Sequence, residues 1–442
     1  MARSPREVAY QALLANEKDP TQGIDDILSK LLQQSELNDQ EKRWVMELVY
    51  GTTRMKLQLD SFIIPVFKGR YKKAQHSIKT LLRMGTFQLK HMQTSEHAAI
   101  NETVDLSKKV KQGRASGLIN AVLRKIQKIE LKDILHTSES EIRKRSIRAS
   151  HPEWLIQKWM ERYTPEEVTA LCLHNNSVPQ TWVRRNSLAV SRDDFEAFLK
   201  DLGIEFRRSE LLDVFYEIKG AGPLFSTRQF HDGWFSFQDL AAGIVATLLE
   251  PNPQEDILDA CSAPGGKMAF LAELSGGQAR ITACDASNLR LVKVRENIER
   301  LQLKGIDVIT SDAGVAELPE SDKILLDVPC SGTGVLNRRP DARWKRQEAD
   351  IRSLTSIQSD ILRNTWKYLR PGGLLVYATC TLEPEENWDL INDVLEQLEG
   401  ARVEVIKDDL LKPYIDEKGA LSTLPWRDGM DGMFAVKIRK SL

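Results

Sequence analysis

Two cysteines close two apolar runs in the same way: KILLDVPC ends at Cys330 and LLVYATC ends at Cys380. Short apolar runs bounded by turn signals read as buried strands. If both strands belong to one parallel sheet, both thiols reach the crevice at the strands' carboxyl ends. A thiolate there is a nucleophile, able to split one hard displacement into two easier steps. Cysteine also serves as a small buried apolar residue, and that plain role suits Cys172, Cys284 and Cys261. Cys330 and Cys380 differ because Ser, Thr and Pro flank them.

Acids stand at the ends of the neighbouring strand candidates. DILDAC ends near Asp259 and runs into CSAPGGK, Cys261 to Lys267. Gly265 and Gly266 let backbone approach a ligand, and the helix that follows offers free amides to an anionic group. ARITACD ends at Asp285, where a carboxylate can grip a ribose diol. IDVITSD ends at Asp312, placed to accept from an adenine amino group. The loop is not G-x-G-x-x-G, and Met268 follows the lysine, so neither a nicotinamide cofactor nor a phosphate-binding loop of NTPases is favoured. Acids after three strands suit a nucleoside with a positive centre, and S-adenosylmethionine fits. Each Asp alone could equally be a turn or helix-cap residue.

Two thiols beside a methyl sulfonium suit methyl transfer to C5 of a pyrimidine. That carbon is a poor nucleophile until a thiolate adds to C6 and makes the ring an enamine. N3 and N4 then need hydrogen bonding, and Asp327 is placed to supply it. A base must finally take the C5 proton so that the thiol leaves, and a second cysteine can assist.

The elements that must position these groups follow from periodicity. From residue 226 onward, five strand candidates alternate with helical stretches, which predicts a parallel doubly wound sheet. VEVI and MFAVKIRK predict an antiparallel hairpin closing the sheet edge. Residues 148–225 predict a small α+β linker, with strands in TWVRRNSL and DVFYEIKG around the helix RDDFEAFLKDLG. Residues 1–147 carry helical spacing throughout, with Pro65 alone between positions 21 and 151, and predict an all-α bundle.

Charge divides along the same lines. Residues 1–150 hold 27 Lys and Arg against 17 Asp and Glu; the remainder holds 35 against 46. A basic module tethered to an acidic one points to nucleic acid as partner of the first. The five cysteines lack zinc spacing, and no apolar run is long enough to cross a bilayer, so reduced thiols in the cytoplasm are expected.

DACSAPGGK, DVPCSGTG and YATCT resemble the signature runs of the NOP2/Sun group of RNA cytosine-5 methyltransferases. DGMDGMFAVKIRK is similar to that group's closing strand and DGWFSFQDLAA to its entry segment, so the resemblance covers roughly residues 226–442. LLRMGTFQLKHM, HAAINETVDLSKK and LINAVLRKI resemble the NusB fold, an RNA-binding helical bundle. The resemblance implies a Rossmann-like AdoMet-dependent catalytic domain with Cys380 as nucleophile, Cys330 as helper and Asp327 at the base. It implies cofactor contacts from Cys261, Ser262, Ala263, Pro264, Gly265, Gly266, Lys267, Asp285, Arg290, Asp312 and Asp327. Ser262 stands where that group commonly has Ala, and Thr381 where it has Ser. The pairing with a NusB-like bundle implies 16S rRNA as partner, free or in an early assembly particle, and a monomer without a metal. The same chemistry on another RNA such as tRNA, or a non-catalytic RNA-binding assembly factor, are the alternatives.

Three basic runs are candidate RNA contacts. RRPDARWKR, Arg338 to Arg346, is expected at the crevice mouth, its cations on phosphates and Trp344 stacking on an unpaired base. KGRYKKAQ and RKRSIR are expected to present phosphate-binding faces. Glu385 and Glu386 are expected as helix-start acids.

Overall fold

The computed structural model describes residues 3–19, 21–136, 140–220 and 222–442. It divides into two compact units: residues 1–178 with Leu336–Arg346, and residues 179–335 with 347–442.

The first unit is helical. Its helices begin where the sequence supplies caps. Ser4 accepts the Glu7 N–H at 3.4 Å while Glu7 accepts the Ser4 N–H at 2.9 Å, opening the helix Pro5–Lys18. Asn38 and Glu41 repeat the pattern before Asp39–Arg54, as do Thr164 and Glu167 before Pro165–Asn176. Apolar stripes from Val8, Leu48, Leu59, Leu81, Leu123 and Ile126 meet in one buried core. The all-α expectation for this region holds.

Leu336–Arg346 joins these helices, which corrects the expectation for RRPDARWKR. Arg343 is 1% exposed. Its guanidinium donates to Asn176 Oδ1 at 2.7 Å and to the Asn175 carbonyl at 2.8 Å. Asp341 accepts the Ile24 N–H at 3.1 Å, and Trp344 Nε1 donates to the Thr53 carbonyl at 2.6 Å. Asp341, Arg343 and Trp344 are packing anchors, so Arg343 is not free for a phosphate, whereas Arg339 of the same run is exposed. Charge in the sequence looks the same whether solvated or paired, so composition could not reveal this. By contrast Lys68, Arg70, Lys72 and Lys73 are exposed, with Tyr71 between them buried and its hydroxyl donating to Asp60 at 2.7 Å.

The second unit contains two sheets. The smaller has strands β1 Thr181–Arg185, β2 Glu205–Arg208, β3 Phe215–Lys219 and β4 Phe235–Phe237, ordered β2-β3-β1-β4 with every pairing antiparallel. Only β1 and β3 were legible as strands. β2, EFRR, is mostly exposed and carries no apolar alternation, and β4 is three residues long.

The larger sheet has β5 Asp256–Asp259, β6 Arg280–Asp285, β7 Ile306–Thr310, β8 Ser321–Asp327, β9 Leu369–Thr379, β10 Ala401–Glu404, β11 Leu421–Ser422 and β12 Phe434–Lys440. Its order is β7-β6-β5-β8-β9-β12-β10, with β11 on β12. β5 to β9 are mutually parallel where they pair, as expected of apolar runs covered on both faces. β12 runs antiparallel between β9 and β10, so the expected antiparallel pair does close this side of the sheet, with MFAVKIRK inside and β10 outermost. The strand order reverses between β5 and β8, which puts the crevice at their carboxyl ends.

Candidate active site

The register carries both thiols to that crevice. Asp327 at the end of β8 stands opposite Ala378 of β9, and the pairing continues through Val328 N–H to the Ala378 carbonyl at 3.1 Å. Three residues on, Cys330 Sγ lies 3.2 Å from Cys380 Sγ, and the Cys380 N–H donates to Cys330 Sγ at 3.3 Å. Both thiols are partly exposed. The hydrogen bond to Cys380, then burial, then the charges of Cys380 and Glu386 push the Cys330 thiol well up. The two sulfurs are close enough to share one proton, and either can be the donor.

Close approach of backbones makes this possible. Gly334 N–H donates to the Cys380 carbonyl and Gly432 N–H to the Gly334 carbonyl, each at 3.0 Å. A Cβ on Gly334 would lie 2.1 Å from the Gly432 carbonyl oxygen, so no other residue fits there without moving the loops.

Lys267 stands beside the thiols. Its ammonium lies 2.6 Å from Asp327 Oδ2. Burial works to lower the Lys267 pKa, but Asp327 and then Cys380 overcome it, and the net shift is upward. The sequence placed Lys267 with the cofactor loop and Asp327 with the base; the structure joins them as an ion pair.

Lys267 belongs to the turn Cys261–Lys267, which follows β5, the neighbour of β8. Gly265 has φ +100°, a left-handed conformation that favours glycine, and the helix Gly266–Leu274 starts from it. The Ala263–Pro264 bond is cis. Asp285, 4% exposed, accepts the Ser287 N–H at 2.9 Å and meets Arg290 at 3.2 Å. Arg290 also donates to the Ala263 carbonyl at 2.8 Å, tying the end of β6 to the turn. Asp312 is exposed and accepts the Gly314 N–H at 2.9 Å, a turn role that it fills beyond β7. Cys261 packs against the sheet core, its thiol pushed well up by burial and then by Asp259.

Asp259 has a different character. It is 1% exposed, and among the described residues neither carboxylate oxygen makes a hydrogen bond of good geometry; its polar neighbours are the Ser262 hydroxyl, itself without a well-formed bond, and the Cys261 N–H. Burial first, then the Asp327 charge, push its carboxyl up to about 7. Buried polar atoms left open in this way are rare. Together with the free amides after Gly265, they fit a ligand that carries both a cation and a carboxylate, as the amino-acid end of S-adenosylmethionine does.

The sequence missed a network beneath the thiols. Glu386 does sit in a helical first turn, the 3-10 turn Pro384–Glu386 ahead of the helix Trp388–Leu395, but it is fully buried there and serves as an acceptor. Its carboxylate accepts the Ser331 N–H at 2.8 Å, Gln358 Nε2 at 2.9 Å and the Ser331 hydroxyl. Thr381 Oγ1 lies 2.6 Å from Ser331 Oγ and 3.0 Å from Thr333 Oγ1. One signal was available: three hydroxyls crowd the two thiol loops, and buried hydroxyls need an acceptor.

Buried Arg184 of β1 reaches the turn from the smaller sheet. It meets Glu273 at 2.7 Å and donates to the Gly266 carbonyl at 3.0 Å.

Comparison with known proteins agrees with this architecture. The model of the 16S rRNA methyltransferase RsmB/F family matches residues 246–439, the RsmF/B-like ferredoxin-like domain 151–221 and the NusB family 3–128. "Ribosomal RNA small subunit methyltransferase B" of Pseudomonas putida is 35% identical, covering 99% of this chain and 98% of that protein. The protein of the same name from Photorhabdus laumondii is 34% identical over 96% of this chain and 95% of its own. A solved methyltransferase homolog from Pyrococcus horikoshii is 27% identical with TM-score 0.59, covering 69% of this chain and all of that one. With a NusB bundle, a ferredoxin-like segment and a Rossmann-like catalytic sheet in this order, the chain belongs to the ribosomal RNA small subunit methyltransferase B family.

Proposed function

We propose that this protein methylates C5 of a cytosine in 16S rRNA, with Cys380 forming a covalent bond to C6 of the base. The observation that carries the reading is the pair of sulfurs 3.2 Å apart at the ends of adjacent strands, beside the Lys267–Asp327 pair.

S-adenosylmethionine would supply an electrophilic methyl group. Asp259, Ser262 and the amides of the Gly265–Gly266 turn would hold its amino-acid end, and Asp285, Arg290 and Asp312 its nucleoside. The residues of this chain do the rest. The Cys380 thiolate, facing the Lys267 ammonium, adds to C6. Asp327 accepts from the N4 amino group, and Lys267 steadies the charge that gathers on the ring. After C5 is alkylated, solvent water in the open crevice takes the C5 proton, elimination breaks the S–C6 bond, and Cys330 is placed to protonate the departing sulfur. The target base must be unpaired or flipped out to meet both sulfurs.

Tritiated-AdoMet transfer to naked rRNA, with bisulfite sequencing of rRNA and tRNA from a deletion strain, tests the reading. A single 16S cytosine that loses its methyl mark supports it. Loss confined to tRNA moves the same chemistry to another substrate, and no transfer to either leaves an RNA-binding assembly factor.

A further inference from the structure

The two sulfurs are chemically alike, and something must decide which one attacks. The groups around them are not symmetric. Glu386 lies on the Cys330 side. It accepts the backbone N–H and the hydroxyl of Ser331, the residue after Cys330. Gln358 Nε2, bound to Glu386 at 2.9 Å, also donates to the Pro329 carbonyl at 2.9 Å, so both neighbours of Cys330 are tied to one carboxylate. The Tyr377 hydroxyl donates to the Glu386 carbonyl at 2.7 Å and fixes that loop to β9.

The hydroxyls between the loops form a directed chain. Ser331 gives its proton to Glu386, so Thr381 must give its own to Ser331, and Thr333 its own to Thr381. Thr333 Oγ1 then accepts the Leu382 N–H at 3.0 Å. Each hydroxyl has one proton, so the direction is set by the acceptor at the end of the chain. Glu386 therefore orders segments 330–333 and 380–386 together.

Charge follows the same axis. The Glu386 carboxylate works to raise the Cys330 thiol, while the ammonium of Lys267, paired with Asp327, feels Cys380. The Cys380 N–H to Cys330 Sγ bond opposes this bias and is outweighed.

We propose that Glu386 is a positioning residue that binds the Cys330 loop to the Cys380 loop and keeps the shared thiol proton on Cys330, which leaves Cys380 as the attacking sulfur. This rests on the reading of the two thiols as reacting groups.

The test is pulse alkylation of the full-length protein with iodoacetamide, without RNA or AdoMet, read at each cysteine by peptide mass spectrometry. In the parent protein Cys380 reacts faster than Cys330. Glu386→Gln lowers the Cys380-to-Cys330 rate ratio by about tenfold, the change that one unit of thiol acidity produces. It also lowers kcat with the KM for AdoMet unchanged. An unchanged ratio in folded Glu386→Gln overturns the proposal. Should that variant fail to fold, Ser331→Ala carries the test: a smaller fall in the same direction supports the assignment and an unchanged ratio overturns it. Because alkylation needs no RNA, a protein that shows the shift yet methylates nothing sinks the reaction and leaves the role of Glu386 standing.

Discussion

The two walls of the crevice are built on opposite plans. Beneath the thiols, the polar side chains Glu386, Gln358, Ser331, Thr333 and Thr381 are hydrogen-bonded to one another. At the end of β5, Asp259 and Ser262 are buried with their polar atoms open. The difference separates a surface that the protein completes alone from one that a ligand must complete. A nucleophile needs fixed geometry before substrate arrives, whereas a binding site gains by reserving its strongest acceptors.

Substitutions on either wall should therefore separate chemistry from binding. Cys380→Ala is expected to lower methyl transfer about a thousandfold or more, by removal of the covalent step, while equilibrium dialysis finds AdoMet affinity within twofold of the parent, as for any group that acts only in chemistry. A variant that lost both would erase the contrast.

Asp259→Asn is expected to do the reverse, weakening AdoMet binding roughly 10- to 100-fold by loss of a charge-assisted bond. It also has a signature in stability. The Asp259 carboxyl is raised from the ordinary aspartate range to about 7 by burial and then by Asp327. A buried acid whose folded pKa is raised is neutral and tolerated at low pH, and its penalty grows as pH climbs from the unfolded to the folded value. Stability of the ligand-free parent is thus expected to fall between about pH 4 and pH 7, by on the order of 4 kcal/mol, and to level off above. Asp259→Asn removes that slope in urea titrations, and AdoMet, by meeting the ionised carboxylate, binds the parent more tightly as pH rises through this window.

Cys330→Ala is expected to slow turnover about tenfold and to leave a protein–RNA adduct on a denaturing gel. Normal turnover without adduct would break the division of labour between the sulfurs. The smallest effect belongs to Thr333→Val, which deletes one hydroxyl from the directed chain. It should cost about 1–2 kcal/mol of stability and leave AdoMet affinity unchanged. A loss of affinity there would show that the walls are not independent.

Strand ends were the readable part of this site. Cys330, Cys380, Asp259, Asp285 and Asp327 were found because a buried parallel strand is a plain apolar run, and the residue that ends it must face the crevice. The Lys267–Asp327 and Glu386–Ser331 contacts were not readable, because they join segments 60 and 55 residues apart that only the register brings together. Glu386 was read as a helix-start acid, which it is, but its burial as the acceptor of Ser331 and Gln358 was not legible, because Pro-Glu-Glu is what any helix start looks like. RRPDARWKR was misread in part for a similar reason: Arg343 and Lys345 satisfy carbonyls of the helical unit, and nothing in a run of Arg and Lys announces that. β2 and β4 escaped because a short strand with exposed faces needs no apolar period.

The eleven residues Leu336–Arg346 carry one practical result. They are encoded within the catalytic half but take their partners among the helices, beginning six positions after Cys330. No single cut can then part the two halves cleanly. A fragment made by deleting everything before Pro179 would retain every strand that carries the thiols, yet would strip Arg343 of Asn175 and Asn176, and Trp344 of Thr53. Anyone grafting the helical half of one relative onto another should therefore transplant this excursion with the helices it serves, and not with the sheet from which it departs.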